Sequence, residues 1–84
     1  MSRKDKLLDS VLSGKQDKNI LFADLCKLLD MMEFDGRING SHHIYYKENI
    51  IEILNLQPDG NLAKPYQVKQ TRELILKYGL EIKK

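Results

Sequence analysis

The hydrophobic period of this 84-residue chain changes at Glu33, and that change limits the fold more than any other feature. Ahead of it, Phe22, Leu25, Leu28, Leu29 and Met32 recur at three- and four-residue steps, which predicts a helix over about residues 20–32 with those side chains as its core face. Beyond it, apolar residues fall into short β-type segments separated by turn residues. Asn39-Gly40 suits a two-residue hairpin loop whose central positions need positive φ, so "EFDGRI" and "SHHIYYK" are expected to pair antiparallel. "KEN" turns the chain again, "IIEILNLQ" supplies a third strand, and "PDGN" closes the sheet region.

Helical patterns return at both ends. "RKDKLLDSVLSG" sets Leu7, Leu8, Val11 and Leu12 at helical spacing with Gly14 as a stop, and polar "KQDKN" connects it onward. Near the other end Pro65 opens a helix, Val68, Thr71, Leu74, Ile75 and Tyr78 form its apolar stripe, and Gly79 ends it. The order helix, helix, strand, strand, strand, helix predicts one α+β domain, its helices covering one face of a three-stranded antiparallel sheet.

A chain of this length buries roughly 60–65% of its unfolded surface, too little for a large enclosed cofactor pocket, and no cofactor is expected. No apolar run approaches the roughly 20 residues that span a bilayer, and the charged start lacks the apolar core of a secretory signal; a cytoplasmic protein is expected. Cys26, the single cysteine, sits among helix-patterned apolar residues and reads as a buried structural thiol. Met31 and Met32 read as core filling or as an adaptable contact surface.

Net charge is only +2, but it is unevenly spread. Residues 20–59 carry three basic and seven acidic groups, whereas residues 61–84 carry six and two. A basic C-terminal third points either to an anionic partner or to a solvated charged face.

The only two histidines, His42 and His43, are adjacent in a strand-patterned segment. Successive strand residues point to opposite faces, so His42 shares a face with Ile44 and Tyr46, and His43 with Tyr45 and Lys47. They are badly placed to chelate one metal together, and with no Cys spacing and no second histidine pair, no metal site is expected. One imidazole should lie against the core and the other against solvent or substrate. Periodicity leaves open which, because each face carries one tyrosine. Histidine titrates near neutrality and serves as general acid or base.

"GSHHIYYK", following a helix and a strand, and then "IIEILNLQPDGNLAKPYQVKQTRELILKYGL", whose Pro-started helix ends in Gly-Leu, resemble the HicA toxins of bacterial toxin-antitoxin systems. The resemblance covers roughly residues 20–80. It implies an α-β-β-β-α fold similar to the double-stranded-RNA-binding domain, an endoribonuclease that cuts messenger RNA and halts growth, and a HicB-like antitoxin that covers the site. Residues 19–84 would be that domain, and residues 1–18 an N-terminal helical extension that the resemblance does not explain. The histidine behind Gly-Ser is then catalytic, which maps onto His42, with Gly40 and Ser41 shaping the turn that presents it.

RNA holding falls to Arg37, Lys47, Lys64, Lys69 and Arg72, with Tyr46 or its neighbour Tyr45 stacking on a base. Lys69 and Arg72 share a helix face, and Lys64 precedes a helix start, where free backbone N–H groups favour phosphate. Two other readings compete: a non-catalytic RNA-binding module of similar fold, and a protein-interaction subunit docking through its N-terminal helix.

Overall fold

The computed structural model describes residues 3–82, so Lys83 and Lys84, part of the basic C-terminal third, lie outside it. The chain runs α1 (Arg3–Ser13), α2 (Phe22–Met31), β1 (Asp35–Asn39), β2 (His42–Tyr46), β3 (Leu54–Leu56), β4 (Pro58–Asp59), β5 (Leu62–Ala63) and α3 (Pro65–Tyr78). It is an α+β architecture with a three-stranded antiparallel sheet ordered β1-β2-β3 and helices at both ends.

The expected apolar stripes form the core. Leu25, Leu28 and Leu29 of α2 and Val68, Leu74 and Ile75 of α3 are buried against Tyr45, Leu54 and Leu56 from the covered face of the sheet. Val11 of α1 belongs to the same cluster and is fully buried. Met32 fills the core, Met31 is half-buried, and Cys26 is half-buried rather than enclosed as the sequence suggested. Burial still pushes its thiol pKa up, which keeps it protonated and unreactive.

The β1–β2 turn lies one residue later than expected. Asn39 pairs with His42, so the loop is Gly40-Ser41, and Gly40 alone has positive φ (63°). A glycine at the first central position followed by a residue of ordinary φ is the type II′ arrangement, which matches strand twist as well as the anticipated type I′.

The third strand is shorter than "IIEILNLQ" suggested. Asn49 has φ 72°, the Ile50 N–H bonds the Lys47 carbonyl, and Glu52 is drawn to Lys77 and Tyr78 of α3. Those contacts hold residues 47–53 off the sheet, and pairing begins only at Leu54.

The "PDGN" segment is not a plain turn. Pro58-Asp59 and Leu62-Ala63 form a small hairpin, and Leu21 bridges to Leu62. The side chain of Leu21 cannot cap α2, so the Asn61 carbonyl takes the first free N–H, that of Phe22, at 3.0 Å.

Candidate functional site

The sheet has one covered and one open face, and strand alternation decides which side chains reach each. Tyr45 is buried among the helices, and His43 on the same face is half-buried, its ring edge-on to Phe22 with centroids 4.8 Å apart. His42 is exposed on the open face, with Ile44 and Tyr46 farther along the strand. Across the ladder, Ile44 stands between Arg37 of β1 on one side and Asn55 of β3 on the other. Arg37, His42, Ile44, Tyr46 and Asn55 therefore form one patch.

Within the patch His42 is held. Its Nδ1 lies 2.9 Å from Oδ1 of Asn55, and Nε2 has no protein partner among the described residues. The Asn55 amide oxygen can only accept, so this contact suits a neutral ring that donates from Nδ1 and leaves its lone pair on Nε2. Ser41, just before His42, accepts a hydrogen bond from Nε2 of Gln57 at 3.1 Å, which ties the turn to the end of β3. Gly40 and Ser41 are the two loop residues, and Ser41 also anchors the loop.

Behind β3 stands Gln67, 2% exposed. Its Nε2 donates to the Asn55 carbonyl and its Oε1 accepts from the Gln57 N–H, both at 3.2 Å. One side-chain amide thus satisfies two backbone groups on the outer edge of β3, as a neighbouring strand would. Gln67 Nε2 also lies 3.3 Å from the hydroxyl oxygen of Tyr66, an exposed residue in the first turn of α3.

The residues expected to hold RNA divide into four groups. Arg37 and Tyr46 share the open face with His42. Lys47 has the parity of the covered face; its Nζ donates to the Glu33 carbonyl and sits 5.9 Å from the Phe34 ring centre. Lys64 and Lys69 belong to the start of α3, Lys69 exposed and Lys64 half-buried, within a turn of Gln67.

Arg72, the remaining member of that set, is engaged within the fold. Its guanidinium makes a forked pair with Asp17, at 2.9 Å for the shortest contact, and donates to the Val11 carbonyl at 3.1 Å. Nη1 and Nη2 are thereby engaged by α1 and the connection that follows it. The α3 start also offers phosphate less than expected, since Pro65 has no N–H and the Gln67 and Val68 N–H groups both return to the Lys64 carbonyl.

Asn55, Gln57 and Gln67 were not singled out from sequence. The alternation of Leu54 and Leu56 with Asn55 and Gln57 was the available signal, because it sets two polar side chains on the face opposite the buried leucines. Gln67 gave none, being one polar residue beside an apolar stripe.

Among the described residues, no three His, Cys, Asp or Glu side chains converge on a possible metal position. Among those residues, too, no helix is long and apolar enough to cross a membrane. Comparison of the chain with protein-family models, curated proteins and solved structures found no match.

Proposed function

We propose that this chain is a HicA-like toxin: a metal-independent endoribonuclease of the cytoplasm, with a fold of the double-stranded-RNA-binding type and His42 as its general base. The observation that carries the reading is the oriented imidazole on the open sheet face, Nδ1 occupied by Asn55 and Nε2 outward, with Arg37 and exposed Tyr46 farther along the same face.

RNA brings its own nucleophile. Nε2 of His42 takes the proton of a 2′-hydroxyl, the 2′-oxygen bonds to the adjacent phosphorus, and the P–O5′ bond breaks. A 2′,3′-cyclic phosphate remains on one fragment, and the departing 5′-oxygen takes a proton from water. Positioned general-base catalysis contributes roughly 10²- to 10⁴-fold, which suits a slow nuclease that acts on many messages. Arg37 is the cation nearest to that phosphate in the strand register, and Tyr46 gives a splayed base a ring to stack on.

The same face suits an antitoxin of the HicB kind. Ile51 and Ile53 are 90% and 59% exposed and, with Arg37 and Tyr46, line a shallow hollow at the far end of the patch. A protein that seats on this hollow and extends along the open sheet face would cover His42 as well.

The reading is tested by incubating the full chain with messenger RNA in EDTA and identifying the new termini. Cyclic-phosphate and 5′-hydroxyl ends are expected. Ends bearing 5′-phosphate would mean that water is the nucleophile, and bound but uncut RNA would leave the non-catalytic module as the better account.

A further inference from the structure

We infer that Asn55 is the positioning residue of the His42 base: it selects the Nδ1–H tautomer and fixes the ring so that Nε2 faces the open side of the sheet. The inference rests on the nuclease reading above for its catalytic consequence and on geometry alone for the tautomer.

An isolated neutral imidazole favours the Nε2–H form, in which the basic lone pair is on Nδ1, close to the strand backbone. Reversing that preference requires an acceptor at Nδ1. The Asn55 oxygen, 2.9 Å away, supplies one from the neighbouring strand. Being a neutral amide, it sets the tautomer without bringing a carboxylate charge next to the base. The charged side chains on the same face are Arg37, across from Ile44, and Asp35, across from Tyr46; neither is the register partner of His42.

Asn55 is itself held in place. Its backbone carbonyl accepts from the buried Gln67 amide, and the next residue but one is fixed by the same amide through the Gln57 N–H. Gln57 in turn reaches Ser41 at the start of β2. The ring of His42 is therefore bracketed: the Ser41–Gln57 bond fixes where its strand begins, and Asn55 fixes how it turns. A histidine on an unsupported edge would sample both tautomers and several rotamers, and only a fraction of molecules would be competent at any moment.

The test is long-range ¹H–¹⁵N correlation NMR of the His42 ring in the full chain, with RNA cleavage measured on the same samples. Wild type is expected in the Nδ1–H form. Asn55→Ala should move the ring to the Nε2–H form and slow cleavage by at least about tenfold, part of the roughly 10²- to 10⁴-fold available to the base, with RNA affinity unchanged. Asn55→Asp keeps the acceptor; it should retain the Nδ1–H form and restore cleavage, with the acid limb of its pH profile moved to higher pH because a carboxylate favours imidazolium.

An Nε2–H ring in wild type, or the same tautomer in wild type and Asn55→Ala, overturns the inference whatever happens to RNA. A tautomer switch with no change in cleavage rate overturns the catalytic role of Asn55. Intact RNA with wild type in the Nδ1–H form upholds the Asn55–His42 contact and overturns the nuclease reading instead.

Discussion

Gly36 and Gly40 lie four residues apart and are required for different reasons. A Cβ built at Gly36 would stand 3.0 Å from the ring of Tyr45, its partner across the β1–β2 ladder, so the missing side chain makes room for a buried aromatic. Gly40 has open space around it and is needed only for its φ of 63°. Gly36→Ala should cost about 1–3 kcal/mol through displacement of Tyr45, and Gly40→Ala about 1 kcal/mol through backbone strain. Chemical denaturation of the two variants measures both, and only Gly36→Ala should change the near-ultraviolet signal of Tyr45. The turn chemistry at Gly40 was readable in the sequence. The demand at Gly36 was not, because it comes from a ring on another strand. The open question at the histidines, which of the two faces outward, was likewise closed only by the helices that bury Tyr45 beside His43.

Elements meet through a few polar clamps. The forked Arg72–Asp17 pair joins α3 to the α1–α2 connector, with about a fifth or less of each side chain exposed. It lies between a surface pair, worth under about 1 kcal/mol, and a buried pair whose breaking costs about 3–5 kcal/mol. Arg72→Met should therefore destabilise by about 2 kcal/mol in urea unfolding. It should leave the salt dependence of RNA binding as in wild type, whereas Arg37→Ala should reduce the log–log slope by ~0.7, the value for one lost phosphate contact on a single strand. Equal slope changes in the two variants would contradict the assignment of Arg72 to structure. Helix positions and core faces were legible because a 3.6-residue period is local. The short β3, the β4–β5 hairpin and the edge clamp by Gln67 were not, because each depends on groups that meet only after α3 has packed.

For the molecule as a whole, acid stability and activity give separate tests. Hydrogen bonds from Lys77 and Tyr78 lower the Glu52 pKa from an ordinary 4.5 to about 2. A carboxyl depressed in the folded state binds its proton more readily when unfolded. Its contribution is complete above about pH 4.5 and declines as pH falls through about 2. Glu52→Gln should flatten the stability profile across that window, lowering stability at neutral pH and changing it least near pH 2, a difference that thermal melts in buffers spanning the window and neutrality resolve. The central claim concerns His42, and the most direct measurement is cleavage of messenger RNA in EDTA by wild type, His42→Ala and His43→Ala, each verified as folded. The account predicts a loss of roughly 10²- to 10⁴-fold for His42→Ala and nearly full activity for His43→Ala. Activity that survives His42→Ala, or disappears only with His43→Ala, would contradict it.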